Sequence, residues 1–249
     1  MSSFRQQLGL LRSVLMYYGV PFRKRRLARF YGQFIQPNAL CFDIGAHVGN
    51  RVQVWAGLGA RVVALEPQPQ CMRLLRRWYG QHPNVTLLEQ AVGAKRGTQS
   101  LFMSQRTPTV STLSQEWIET VQERDASFAN VEWDEAIPVT MTTLDALIAQ
   151  YGKPAFCKID VEGYELTVLE GLSQPISALS FEYIPATKEA SLACLTYLEK
   201  LAQYEFNWSK GESHKMQATT WLTPAQMAEV LSQMAVDSGS GDVYARQRG

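Results

Sequence analysis

Cys41-Phe42-Asp43-Ile44-Gly45-Ala46-His47-Val48-Gly49-Asn50 is a short apolar run that stops at an acid and opens into a glycine-spaced turn. An apolar strand ending in Asp-x-Gly-Ala-x-x-Gly, with helix-compatible residues after it, predicts the first strand and turn of an α/β nucleotide-binding unit. Gly45 lets the backbone approach a ligand with no Cβ in the way, and Gly49 lets the next helix pack close to the strand. Outward from this loop, Arg61-Val62-Val63-Ala64-Leu65-Glu66-Pro67 reads as a second strand, ending on an acid twenty-one residues after Gly45. That spacing matches one βα unit followed by a strand whose terminal carboxylate accepts hydrogen bonds from the two hydroxyls of a ribose. Pro67 stops the strand.

The glycines choose among adenosine-containing cofactors. A dinucleotide enzyme needs G-x-G-x-x-G so that a pyrophosphate can sit on the helix N-terminus. Counted from Gly45, the second and third glycine positions are His47 and Asn50, and the fingerprint fails. An NAD(P)-dependent oxidoreductase on a similar sheet is therefore disfavoured. Asp43, two positions before the glycine, suits a cationic ligand better than a pyrophosphate, and S-adenosylmethionine carries ammonium and sulfonium groups.

Two further blocks, Asn84-Val85-Thr86-Leu87-Leu88-Glu89-Gln90-Ala91-Val92-Gly93 and Lys158-Ile159-Asp160-Val161-Glu162-Gly163-Tyr164-Glu165, complete a set of four. Together they resemble the FkbM family of S-adenosylmethionine-dependent methyltransferases, over about Ala39 to Glu182. The first two blocks are general to class I methyltransferases; Lys-Ile-Asp-Val-Glu-Gly is the family-specific one. The resemblance implies S-adenosylmethionine as cofactor and O-methylation of a hydroxyl on a sugar, glycan, glycolipid or natural product. It also implies cofactor contacts from Asp43, Gly45, Ala46, His47, Gly49, Asn50, Glu66, Pro67, Gln90, Ala91 and Asp160, with Gln90, Ala91 and Val92 beside the adenine. A non-catalytic binding module retaining the fold remains an alternative, which an intact set of carboxylates argues against.

The chain has 249 residues, 46% of them apolar, which suits one α/β domain. Residues 1–42 carry seven basic side chains (Arg5, Arg12, Arg23, Lys24, Arg25, Arg26, Arg29) and no acid, which leaves the remainder net acidic. We divide the chain into a basic amphipathic arm, residues 1–38, and a methyltransferase domain, residues 39–249. The acidic body argues against a nucleic-acid partner. Cys41, Cys71, Cys157 and Cys194 show no C-x-x-C pairing and read as reduced core residues, which points to the cytoplasm. No apolar run reaches the length of a membrane span, and Arg12 interrupts the first apolar stretch, which argues against a secretory signal.

Phe4, Leu8, Leu11, Leu15 and Tyr18 recur at helical spacing and predict a helix with that stripe as its packed face, ended by Gly19 and Pro21. One reading packs the helix on its own domain or on a second subunit as a homodimer. The other lays it on the inner membrane surface, with Arg23 to Arg29 meeting anionic head groups.

Farther on, Gln68 to Gly80 predicts a helix with Met72, Leu75 and Tyr79 inward. Val85 to Val92 is a third strand, and Gln99 to Gln105 a short extra one. From Arg106 to Ala136 periodicity is lost while Trp117, Phe128 and Trp133 persist, which suggests a lid or binding loop; the resemblance implies that this region covers the substrate cleft, with Thr109 to Leu113 near the acceptor, and an ordinary insertion over its own aromatics is the alternative. Ala155 to Val161 is the fourth core strand, and further strands at Leu179–Ile184, Glu205–Ser209 and Asp242–Arg246 follow. Strands alternating with helices make one doubly wound, mostly parallel Rossmann-like sheet of about seven strands; the class I pattern makes the last strand antiparallel.

Asp43, Glu66, Asp160, Glu162 and Glu182 all fall at or next to predicted strand ends, where ligands of open α/β sheets bind. Lys158, Asp160 and Glu162 share strand parity and would project to one side. Five carboxylates could hold a divalent metal, but there is no dedicated ligand loop and none is expected. We expect Asp160 or Glu162 to orient the acceptor hydroxyl and Glu182 or His214 to take its proton, with His214 in a solvent loop. His47, where the family commonly has Asn, is expected to hydrogen-bond its own loop.

Overall fold

The structure, a computed structural model, describes residues 4–248. Its strands are β1 (Leu40–Ile44), β2 (Arg61–Leu65), β3 (Val85–Leu88), β4 (Ala91–Val92), β5 (Gly97–Met103), β6 (Glu135–Thr142), β7 (Phe156–Ile159), β8 (Ala178–Tyr183), β9 (Tyr204–Lys210) and β10 (Gly241–Gln247). Seven of them form one sheet in the order β3-β2-β1-β7-β8-β10-β9. The pairings from β3 to β8 are parallel, while β10 runs antiparallel to both β8 and β9. This is the doubly wound sheet with an antiparallel last strand.

The helices are α1 (Phe4–Tyr18), α2 (Arg23–Tyr31), α3 (Asn50–Gly57), α4 (Pro69–Tyr79), α5 (Gln115–Arg124), α6 (Leu144–Tyr151), α7 (Glu165–Leu169), α8 (Lys188–Leu201) and α9 (Pro224–Gln233). All five residues of β1 are buried, as a central parallel strand covered on both faces requires. Strand alternation sorts its side chains into two cores. Phe42 and Ile44 join Ile159, Phe181, Leu195 and Met227, the last two from α8 and α9. Cys41 joins Val62, Phe156 and Tyr244 under Leu27, Tyr31, Trp55 and Leu75 from α2, α3 and α4. The register sets Asp43 beside Lys158, Lys158 beside Ser180, and Glu182 beside Asp242, so the acids gather at one edge. All four cysteines are free and buried.

Four expectations change. The strand expected over Val85 to Val92 breaks at Glu89-Gln90. Leu88 still pairs with Leu65, but Ala91 and Val92 pair with Met141 and Thr142, so the chain leaves the main sheet for a second one, ordered β4-β6-β5. β7 ends at Ile159 rather than Val161, because Glu162 and Gly163 turn the chain with positive φ (+52° and +84°).

Within the Arg106 to Ala136 segment lies a helix that the sequence pattern hides, α5. Ser114 caps it, its Oγ accepting from the Trp117 amide at 3.1 Å. Its buried residues are only Trp117, Ile118 and Val121, a stripe too short to stand out among the polar neighbours. The aromatics pack against each other, Trp117 with Phe128 and Trp133, over Ile184 and Ala186.

The fourth change concerns α1, which turns the three leucines of the predicted stripe outward; Tyr18 packs inward, its hydroxyl 3.0 Å from the Val48 carbonyl, and the Phe4 side chain lies outside those described. Leu8, Leu11 and Leu15 are 57%, 53% and 61% exposed, whereas Gly9 and Ser13 are buried. The small residues decide this. A Cβ on Gly9 would lie 2.8 Å from the Gln105 carbonyl oxygen and 3.0 Å from Pro108 Cδ, so the helix backbone is already in contact with that loop. Among the described residues no helix is long and apolar enough to cross a membrane.

Candidate active site

The acidic edge of the sheet opens into a cleft of about 740 Å³, its open mouth included. Of the residues proposed from sequence, Gly45, His47, Asn50, Glu66, Pro67, Gln90, Ala91, Asp160 and Glu162 line it. Asp43, Ala46 and Gly49 lie beneath the wall, buried. Glu182 stands behind Asp160 and Glu162, with carboxylate oxygens of the three within 4.8 Å of one another.

The glycines earn their places differently from the expectation. Gly45 has φ +83°, and a Cβ there would sit 1.9 Å from the Asp160 carbonyl oxygen, so the space is taken by the neighbouring strand rather than reserved for a ligand. Gly49, φ +78°, admits Leu75 and Tyr79 of α4 against the turn.

Glu66 is fixed by two backbone donors. The His47 amide donates to one carboxylate oxygen at 2.7 Å and the Gln68 amide to the other at 2.8 Å. Burial pushes its pKa up to about 7 against the pull of those two bonds. The remaining lone pairs are free to accept two hydroxyls from the cleft. Burial lowers His47 to about 4, so the ring is neutral at physiological pH; its Nδ1 lies 3.5 Å from Cys71 Sγ. Neither contact is with its own loop, the one expected of His47: its amide donates to Glu66 after β2, and its ring meets Cys71 of α4.

Several buried polar atoms here lack any partner within the protein: both Asp43 carboxylate oxygens, His47 Nε2 and Asn50 Nδ2. Buried polar groups are ordinarily satisfied, so unmet ones beside a cleft point to a ligand. An acid without a donor, an amide donor, and a carboxylate with spare lone pairs fit a molecule carrying an ammonium group and a ribose. S-adenosylmethionine is such a molecule.

The far end of the cleft is built on charge. Lys158, wholly buried, keeps its ammonium 3.3 Å from Asp160 and also pairs with Asp242 at 2.5 Å. Burial alone would lower its pKa, but Asp160 and Asp242 hold it raised. Arg51 Nη2 approaches Asp160 at 3.2 Å and Glu212 at 3.5 Å. Glu162 and Glu182 are raised above the usual carboxylate range, first by desolvation and then by neighbouring acids. Glu162 caps no helix: α7 begins only at Glu165, whose Oε1 accepts from the Val161 amide. Asp160, Glu162 and Glu182 come close enough to share a cation, but Lys158 and Arg51 already bring positive charge to Asp160.

Residues 108–112 span the opening. Gln68 Nε2 donates to the Pro108 carbonyl at 3.1 Å, Ser111 Oγ donates to Gln68 Oε1 at 3.1 Å, and Thr112 Oγ1 donates to the Glu162 carbonyl at 2.6 Å. Thr109, Ser111, Thr112 and Leu113 all line the cleft. Trp117 of α5 presses on Gly163, where a Cβ would be 2.1 Å from the indole.

His214 is not in a solvent loop. Its side chain is 1% exposed, packed against Phe30 and Tyr31 of α2, and its Nδ1 lies 2.9 Å from the Glu212 carbonyl. Burial lowers its pKa, and it does not line the cleft. Its route to the site runs through Glu212, which pairs with Arg51 and, at 2.7 Å, with Arg23.

Sequence reasoning missed Arg51 and Tyr17, both of which line the cleft. A lone arginine among Val52, Val54 and Trp55 was a legible sign of a buried cation. Tyr17 comes from the arm, its ring 6.0 Å from His47 and beneath the Arg23 guanidinium at 5.0 Å.

The family model described as the methyltransferase FkbM domain matches residues 43–222, more than two-thirds of the chain. The chain belongs to the FkbM methyltransferase family. By family it is an S-adenosylmethionine-dependent methyltransferase, and neither the nicotinamide-dependent nor the non-catalytic alternative is favoured. No protein with a curated description matches.

Among solved structures, the chain is similar to precorrin-6y C5,15-methyltransferase of Geobacter metallireducens GS-15, at 12% identity over 90% of this chain and 86% of that one, with a TM-score of 0.48. It is also similar to a TehB-like SAM-dependent methyltransferase of Corynebacterium glutamicum, at 8% identity over 96% and 94%, TM-score 0.47. Fibrillarin of Aeropyrum pernix, with bound S-adenosyl-L-methionine, matches at 10% identity over 85% and 68%, TM-score 0.42. Likenesses this distant say nothing of what the FkbM chain acts on.

Proposed function

We propose that this FkbM methyltransferase acts on an oxygen, the hydroxyl of a sugar, glycan, glycolipid or polyhydroxylated natural product. The observation that carries the reading is the meeting of Asp160, Glu162 and Glu182, with carboxylate oxygens within 4.8 Å of one another, Asp160 and Glu162 lining the cleft. An aliphatic hydroxyl is a weak nucleophile, so a group must take its proton as the new bond forms. Glu182 and Glu162, raised by desolvation and by neighbouring acids, have the affinity for a proton that an ordinary carboxylate lacks. Asp160, tied to Lys158 and Arg51, is the fixed acceptor that aligns the hydroxyl.

Bound S-adenosylmethionine would supply an electrophilic methyl group. Glu66 would accept its ribose hydroxyls, Asn50 and His47 would offer their unmet nitrogens, and Gln90, Ala91 and Val92 would flank the adenine. Residues 108–112 would exclude water, and the hydroxyls of Thr109, Ser111 and Thr112 give the mouth a lining suited to a polyol.

The test is transfer of a radiolabelled methyl group to a panel of monosaccharides, glycolipids and amine acceptors, with and without EDTA. Label on hydroxyl acceptors alone, unaffected by EDTA, supports the reading. Label on nitrogen overturns it; loss with EDTA restored by Mg²⁺ would turn the three carboxylates into metal ligands.

A further inference from the structure

The two faces of α1 are built for different partners. On the inner face, Gly9 seats the helix on Gln105–Pro108, Ser13 is buried, and Tyr17, next on the same side, reaches the cleft. The outer face carries Leu8, Leu11, Leu15 and Met16 at 57%, 53%, 61% and 46% exposure, and the chain beyond adds Val20 at 44% and Phe22 at 76%. Trp78 of α4, 40% exposed, lies 5.2 Å from the Tyr18 ring and extends the patch. Seven of the eight large, exposed apolar residues among those described therefore fall in this one region, the eighth being Val236. Single exposed apolar side chains are ordinary, but a contiguous set on one helix face is not.

The helices that carry the patch, α1 and α4, and the neighbouring α2 hold basic side chains and no acid. Arg12 on α1, Lys24, Arg25, Arg26 and Arg29 on α2, and Arg73 and Arg77 on α4 are exposed, and none has an ion-pair partner among the described residues. The first acid in the chain is Asp43. Two exceptions are paired: Arg23, buried, with Glu212, and Arg76 of α4 with Glu89.

We propose that the outer face of α1, continued by Phe22 and Trp78, docks on an anionic lipid surface. An apolar helix face with cationic neighbours and aromatic side chains at its margin matches the boundary between acyl chains and head groups, where long basic side chains reach up to phosphates. A second copy of the chain fits less well, because a twofold pairing of this face would set Arg12 and the basic α2 against their own counterparts. Since Tyr17 lines the cleft from the opposite side of the same helix, docking sets the cleft beside the lipid surface. The docking itself does not depend on what the cleft methylates.

The experiment is flotation of the full-length protein with vesicles of phosphatidylcholine alone or with added phosphatidylserine, at low and high salt, alongside sedimentation to read the oligomeric state. The expected result is co-flotation with phosphatidylserine vesicles that weakens at high salt, as charge screening requires. Leu11→Glu with Leu15→Glu should reduce partitioning roughly tenfold or more, given the apolar area withdrawn from the acyl boundary. Circular dichroism and S-adenosylmethionine affinity should be unchanged. Phe22→Asp is a second variant: Phe22 sits at φ +60°, a conformation that aspartate tolerates better than phenylalanine, so it should fold and still float less. Absence of flotation by the native protein overturns the proposal. So does flotation that neither variant reduces, and so does a dimer dissolved by the double substitution, which would give the face to a second copy.

Discussion

Glu162 is the residue on which cleft and chemistry meet. It adopts a left-handed backbone at φ +52°, lines the cleft, and holds the spanning segment through its carbonyl and Thr112. A non-glycine side chain in that conformation costs about 1–3 kcal/mol and persists only where its surroundings fix it. Glu162→Gln keeps the shape and the backbone bond while removing the charge. It should lower kcat by roughly a hundredfold or more and leave S-adenosylmethionine affinity within a few fold. Steady-state kinetics with a hydroxyl acceptor, set beside calorimetric binding, check this; unchanged turnover would move the chemistry elsewhere in the cleft. Glu66, Asp160 and Glu162 were legible because strand-terminal acids next to glycines are a sequence pattern. Arg51 carried a sign in its apolar neighbours; Tyr17 and Glu212 carried none, since their roles come from packing between elements distant in sequence.

At the scale of elements, the cleft is closed by contacts that local periodicity does not encode. α5 reaches the cleft through Trp117 on Gly163, and residues 108–112 are fastened at one side to Gln68 and at the other to Glu162. Gly163→Ala would place a methyl group 2.1 Å from the indole, at φ +84°, so α5 must move away. We expect altered tryptophan fluorescence and a fall in kcat of about tenfold or more, because positioning and water exclusion carry much of such a reaction. Retention of both native fluorescence and native turnover would separate α5 from the chemistry.

The seven-strand sheet could be read from hydrophobic runs and acidic termini. The inversion of α1 could not: Leu8, Leu11 and Leu15 form the obvious packed stripe, and only the docking of Gly9 on Gln105–Pro108 reverses it. Periodicity identifies an amphipathic helix but not which partner covers its apolar face.

The whole molecule carries an unusual load of buried acid. Burial raises Asp43 to about 6 and Glu66 and Glu165 to about 7, and raises Glu162 and Glu182 as well. A carboxyl group whose folded pKa lies above its unfolded value adds stability that is complete below the unfolded value and is lost as pH rises through the folded one. Glu212, lowered by Arg51, His214 and Arg23 in spite of burial, acts the opposite way, but only as pH falls below the ordinary carboxylate range. His47 and His214, both lowered by burial, oppose the acids once pH falls below the ordinary histidine value of about 6.5, so the cofactor-free protein should gain Tm as pH falls from about 8 to about 6.5. Glu165→Gln, which can still accept the Val161 amide, should remove part of that gain. Scanning calorimetry reads both, and a flat or falling Tm over that window would mean the acids are ionised at little cost.

The central claim is that this cleft holds S-adenosylmethionine through the carboxylate of Glu66, and calorimetric titration of the native protein against Glu66→Ala tests it most directly. The account predicts one cofactor per chain, weakened by about 1.5–3 kcal/mol in the variant, the range for hydrogen bonds to a charged group, with the far-ultraviolet spectrum unchanged. Equal affinity in the two proteins, or no binding by the native one, would contradict it.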